Sequence, residues 1–115
     1  MSGATNRQMS TFEDRERGFE SKYALDEAQE FKAIARRNRL LGLWAAEKMG
    51  LNPERSEEYG RAIVKADFEQ PGEEDVYRKI AQDLEGAGLT VSEGEIRRKM
   101  DELSSVAREQ VRSGE

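Results

Sequence analysis

The 115-residue sequence predicts an all-α fold, an up-down four-helix bundle preceded by a flexible, partly helical N-terminal arm. Four segments carry apolar residues at the 3.6-residue spacing of an amphipathic helix, and no stretch of five or more residues alternates as a half-buried strand does. Gly and Pro residues separate these segments by short connections. Because short connections make consecutive helices antiparallel, the simplest architecture is an up-down bundle.

The connections carry residues that end one helix and begin the next. They lie at residues 50–53, 70–72 and 86–88, and the predicted helices span residues 24–49, 53–69, 73–86 and 92–112. Gly50 suits a left-handed C-cap, Asn52 an N-cap and Pro53 the first helical position. Ser92 and Glu95 have the spacing of a capping box, which sets the start of the fourth helix.

The apolar stripes of the four helices form the predicted core. Its members are Ala28, Phe31, Ile34, Ala35, Leu41, Trp44 and Ala45 in the first helix, Tyr59, Ala62, Ile63 and Ala66 in the second, Val76, Ile80, Leu84 and Ala87 in the third, and Ile96, Met100, Leu103, Ala107 and Val111 in the fourth. Asn38 lies on the first stripe, where its role is either a buried polar contact that fixes helix register or a ligand contact. Gly42 lies inside the first helix at a cost of about 1 kcal/mol relative to Ala, unless close packing requires it.

The chain divides into two parts. We assign residues 1–23 to a disordered extension and an N-terminal arm, and residues 24–115 to the bundle. Residues 1–8 are small and polar and have little to bury, so we expect them to be disordered.

The arm has the pattern of a helix that is unstable by itself. Ser10 and Glu13 have capping-box spacing, so a helix can begin there. Phe12, Phe19 and Tyr23 would then form one narrow apolar stripe on a polar rod. Because such a rod is unstable alone in water, the arm is either a frayed extension of the first helix or a segment that folds on a partner.

Composition excludes several classes of function. The chain has no Cys and no His, which removes disulfides, cysteine nucleophiles, histidine-dependent triads and the usual zinc sites. No apolar run is long enough to span a membrane, and no export signal opens the sequence. A pI near 5.0 argues against nucleic-acid binding. We therefore expect a cytoplasmic protein that is not an enzyme, requires no cofactor and does not insert into a membrane.

Positive charge is concentrated in the first helix. The basic cluster comprises Lys32, Arg36, Arg37 and Arg39. It is either a solvated helix face paired with acids on neighbouring helices, or a docking site for phosphate or a protein partner. In the second case, the candidate site for ATP or ADP is Arg36, Arg37, Asn38, Arg39 and Trp44. Trp44 on its own is better explained as an apolar anchor of the core than as a stacking platform.

Four stretches resemble the zeta subunit family, the inhibitor proteins of the F-type ATP synthase of alphaproteobacteria. They span residues 9–20, 30–50, 65–76 and 96–103, and the longest is EFKAIARRNRLLGLWAAEKMG. Residues 1–8 precede the start that is usual in this family. The resemblance implies a four-helix bundle whose mobile N-terminal arm inhibits ATP hydrolysis by entering a catalytic alpha/beta interface beside the central rotor.

The resemblance also implies roles for individual residues and partners. The arm would use Phe12, Phe19 and Tyr23 as apolar anchors and Asp14, Arg15 and Arg17 as polar contacts. The implied partners are the alpha, beta and gamma subunits of the catalytic head, which would hold the protein at the periphery of the inner membrane. We expect a monomer when the protein is free. The alternative function is an adenine-nucleotide-binding sensor or a regulatory adaptor.

Overall fold

The computed structural model describes residues 24–115, which fold into four α-helices. They are α1 (Glu27–Lys48), α2 (Pro53–Glu69), α3 (Glu73–Gly86) and α4 (Glu93–Arg112). No strand occurs in this part of the chain. The prediction of an all-α four-helix fold is confirmed, while the predicted arm lies outside the described residues.

Local capping sets where the helices begin. Asp26 Oδ1 accepts a hydrogen bond from the Gln29 backbone N–H at 2.8 Å, and Gln29 Oε1 accepts one from the Asp26 N–H at 3.0 Å. This reciprocal capping box starts α1 at Glu27, so the prediction of a start at residue 24 was wrong. Asn52 caps α2 as predicted, accepting from the Arg55 N–H at 2.8 Å.

The cap of α4 has one of its two predicted halves. Ser92 Oγ accepts a hydrogen bond from the Glu95 N–H at 3.1 Å. The Glu95 carboxylate pairs with Lys48 Nζ at 3.2 Å instead of completing the capping box. The same residue therefore links the start of α4 to the end of α1.

The core lies where all four helices meet. Its fully or nearly buried apolar members are Leu41, Ala45, Ile63, Val76, Ile80, Leu84, Ile96 and Met100. Helix α1 packs mainly against α2 and α4 and contacts α3 less. The Tyr59 hydroxyl joins α2 to α3 by donating to Asp83 Oδ2 at 2.6 Å. Burial and this hydrogen bond raise the pKa of Tyr59, so its phenol stays protonated and keeps donating.

Two glycines allow α1 and α2 to approach closely. A Cβ atom on Gly42 would lie 2.7 Å from the Gly60 Cα atom, a separation that side chains do not tolerate. Both glycines are buried. Close packing therefore accounts for Gly42 inside α1, which is the exception that the sequence left open.

The predicted core of α1 is wrong in its N-terminal half. Phe31 and Ile34 are 59% and 44% exposed, although both lie on the apolar stripe. Instead, α1 turns Ala33, Arg37 and Asn38 toward the interior. Arg37 and Asn38 are buried there because their side chains have hydrogen-bond partners on the other helices, as described next.

Candidate functional site

A groove runs between the N-terminal half of α1 and the C-terminal half of α2. Its volume is about 870 Å³. Phe31 and Ala35 of α1 and Val64 and Phe68 of α2 form its apolar floor. The Phe31 and Phe68 rings meet edge to face, with centroids 6.1 Å apart and planes at 75°. An aromatic pair of this kind is usually buried, but here Phe68 is 71% exposed.

Five cationic side chains line the groove around this floor. They are Lys32, Arg36 and Arg39 from α1 and Arg61 and Lys65 from α2. The chain as a whole carries a net charge of −5, so this groove is positive on an acidic protein. An anion or an acidic surface would be attracted to it.

Two of the groove arginines have partners outside the groove. Arg39 forms a bidentate contact with Glu57 of α2, with distances of 3.3 and 2.7 Å. Arg36 donates to the backbone oxygen of Glu115 at 2.6 Å and to the Gln110 side chain at 3.3 Å. All of these contacts are exposed or partly buried, so a ligand could replace them at low cost.

The other three cations are less constrained. Lys65 approaches Glu69 at 3.8 Å, and both side chains are mostly exposed. Within residues 24–115, neither Lys32 nor Arg61 forms an ion pair with a carboxylate. Both of these side chains are exposed.

Behind the groove lies a buried polar network. Arg37 is 5% exposed and donates through Nε to Asn38 Oδ1 at 2.9 Å and through a terminal nitrogen to Glu73 Oε2 at 3.1 Å. Asn38 is 1% exposed and donates to Asp67 Oδ2 at 2.8 Å. The other oxygen of Asp67 accepts from the Gly72 N–H at 3.1 Å. The network therefore joins α1, α2 and the start of α3, and Asn38 is a buried polar contact within it.

The five residues of the candidate nucleotide site are not gathered in one place. Arg36 and Arg39 line the groove, whereas Arg37 and Asn38 belong to the buried network. Trp44 is half-buried against the core, with Lys48 Nζ 5.3 Å from the centroid of its ring.

Sequence reasoning missed the α2 side of the groove. Arg61, Lys65 and Phe68 lie at the four- and three-residue spacings that bring side chains to one helix face, so the signal was present. It was obscured because the chain after residue 52 is acidic on average.

A family model described as ATPase inhibitor subunit zeta matches residues 9–110. The chain belongs to this family of zeta inhibitor subunits. The family supports an inhibitory role toward an ATPase. A solved structure, described as a solution NMR structure, is 47% identical, with a TM-score of 0.62; the alignment covers 70% of this chain and 92% of that one. No curated protein matches the chain.

The family match includes the segment in which this zeta-family chain carries its predicted arm. The predicted contacts are Phe12, Asp14, Arg15, Arg17, Phe19 and Tyr23, all of which lie outside the described residues. From residue 24 onward, no group of acidic side chains is arranged to hold a metal ion. In the same part of the chain, no helix is both long and apolar enough to cross a bilayer.

Proposed function

We propose that this chain is a non-enzymatic inhibitory subunit of the F-type ATP synthase. It blocks ATP hydrolysis by inserting its N-terminal helix into a catalytic alpha/beta interface next to the rotor. The observation that supports this proposal most is the family match, because it extends over residues 9–110 and so includes the arm. We place the protein in the cytoplasm, at the periphery of the inner membrane through the synthase, and as a monomer when free.

The sequence of the arm supports insertion into a protein interface. Phe12, Phe19 and Tyr23 are seven and four residues apart, so a helical arm presents them along one face. Burial of a Phe side chain contributes roughly 1.5–3 kcal/mol. The two phenylalanines together therefore supply a large part of the affinity expected of an inhibitor.

The test is inhibition of ATP hydrolysis by a cognate ATP synthase head. Replacement of Phe12 and Phe19 by Ala should weaken inhibition by roughly two to four orders of magnitude, at about 1.4 kcal/mol per tenfold change. Deletion of residues 1–23 should abolish inhibition, whereas deletion of residues 1–8 is the matched control and should preserve it. Full potency after deletion of residues 1–23 would assign inhibition to the bundle and contradict the proposal.

A second candidate function is binding of an adenine nucleotide, which could accompany inhibition. The observation that favours it is the cationic groove, where Arg36 and Arg39 lie above an aromatic floor. Guanidinium groups bind phosphate oxygens in bidentate fashion, and a base stacks on exposed aromatic rings.

Nuclear magnetic resonance (NMR) can test this second function with the free protein. Addition of ATP or ADP should shift the resonances of Arg36 and Arg39 and of the Phe31 ring. Trp44 should shift less, since it packs against the core. An unchanged spectrum at millimolar nucleotide would contradict nucleotide binding and leave the inhibitory function unaffected.

A further inference from the structure

The apolar surface extends beyond the groove floor. A second depression shares Phe31 and Phe68 with the groove and continues over Ile34 and Pro71. The surface therefore crosses from α1 to α2 and reaches the connection to α3. A continuous exposed apolar surface of this kind marks an interaction site more often than an isolated exposed residue does.

The dimensions of the groove match a short helix. Phe31 and Arg39 are eight residues apart on α1, which is about 12 Å at 1.5 Å per residue. Two turns of a partner helix have this length. Such a helix docks by inserting apolar anchors spaced three, four and seven residues apart between the rows of side chains that flank the groove.

The positive charge of the groove indicates the charge of the partner. All five cations point to a partner with acidic side chains beside its apolar anchors. Lys32 and Arg61 are available for such contacts without breaking an ion pair among the described residues. Arg39 would exchange one exposed carboxylate, that of Glu57, for another.

We propose that the α1–α2 groove docks an acidic amphipathic helix of the ATP synthase head, as a second contact separate from the arm. This inference rests on the proposed function for the identity of the enzyme. In this arrangement the groove anchors the bundle on the head, while the arm reaches the catalytic interface. Anchoring raises the effective concentration of the arm at its site.

Other occupants fit the groove less well. A second copy of the chain would bring five cations against five cations, which opposes a symmetric dimer. The arm itself, residues 10–23, has four acids and three bases and so offers little net negative charge. A flat anionic bilayer carries charge that the groove attracts, but it has no projecting apolar anchors to enter the groove between α1 and α2.

The experiment measures the dissociation constant of the full-length chain for a cognate head, together with inhibition by the same variants. The double substitution Phe31→Ser and Phe68→Ser should raise the dissociation constant by roughly 10- to 100-fold. Val106→Ser is the control, since Val106 is an exposed apolar residue of α4, and should leave the constant within about twofold of wild type. Because Phe31 and Phe68 are largely exposed, the double variant should stay folded, with its melting temperature lowered by only a few degrees.

A charge-reversal pair tests the acidity of the partner. Lys32→Glu with Arg61→Glu should weaken binding about tenfold at low salt, and the difference should shrink at high salt. Arg55→Glu with Arg98→Glu makes the same change in net charge at exposed positions outside the groove and should weaken binding much less.

The outcomes separate this inference from the proposed function. If the wild type inhibits and both groove variants bind the head as their controls do, the groove inference is overturned and the proposed function stands. If the wild type does not bind the head, both are overturned. Groove-dependent dimerisation, or groove-dependent binding to anionic vesicles with unchanged binding to the head, would assign the groove to a second copy or to a membrane and overturn the inference.

Discussion

The two halves of α1 pack against α2 in opposite ways. In the C-terminal half, Leu41 and Ala45 are fully buried and Gly42 lies against Gly60. In the N-terminal half, the contact between the helices includes an exposed aromatic pair, Phe31 and Phe68. The difference shows that one pair of helices can be closely packed at one end and leave an exposed apolar and cationic surface at the other. Small residues close the first end, while large and charged residues keep the second end open.

The largest predicted effect is a difference in the free energy of unfolding between substitutions in the two halves of α1. Leu41→Ala should lower the free energy of unfolding by about 2–5 kcal/mol, because it leaves a cavity in the core. Phe31→Ala is the matched change in the open half and should cost about 0.5 kcal/mol, since the ring is mostly solvated. Urea denaturation measures both values. Equal losses would show that the open half contributes as much to stability as the closed half.

A smaller effect should come from the close approach of the helices. Gly42→Ala should destabilise the protein by about 1–3 kcal/mol, because the new methyl group meets the backbone of Gly60. Ala is the better helix former, so the sign of the change distinguishes packing from helix propensity. Gly86→Ala in α3 serves as the control, since a Cβ atom there meets no atom within 4 Å. Thermal melts that show Gly42→Ala to be stabilising would contradict the close approach.

The smallest of these effects concerns the buried polar network that contains Asn38 and Asp67. Asp67→Ala removes the acceptor of the Asn38 amide and of the Gly72 N–H, and should cost about 1–2 kcal/mol. Hydrogen exchange should locate the loss, with faster exchange at Gly72 and in the first turn of α3. Asp101→Ala, at an exposed position of α4, should change neither stability nor exchange. Unchanged exchange at Gly72 in the Asp67 variant would show that the network does not hold the connection.

The sequence predicted the bounds of α2, α3 and α4 well because local chemistry determines them, whereas it placed the start of α1 three residues too early. Asn52 and Pro53 start α2, and Gly50, with a φ of 77°, follows the end of α1. The exposure of Phe31 and Ile34 at the N-terminal end of α1 could not be predicted in the same way. The spacing of apolar residues placed Phe31 in the core. Arg37 is buried instead, paired with Glu73, and this pairing could not be predicted because the two residues are 36 positions apart in the chain.

The candidate site was predicted only in part for a related reason. Arg36 and Arg39 were found because positive charge is dense in α1. The α2 side of the groove depends on which faces of the two helices meet, and that arrangement arises from tertiary contacts such as Asn38 to Asp67. A single sequence shows the periodicity of each helix but not the pairing of its faces.

The capping box at Asp26 and Gln29 has a consequence for cooperativity. These two residues satisfy each other's backbone N–H groups, so the first turn of α1 is complete without any residue before Asp26. Helix α1 can therefore begin at its own capping box, without an earlier helical turn before Asp26. We therefore expect the unfolding of the four helices to be insensitive to sequence changes before residue 24, because the start of the first helix is set by the bundle's own residues.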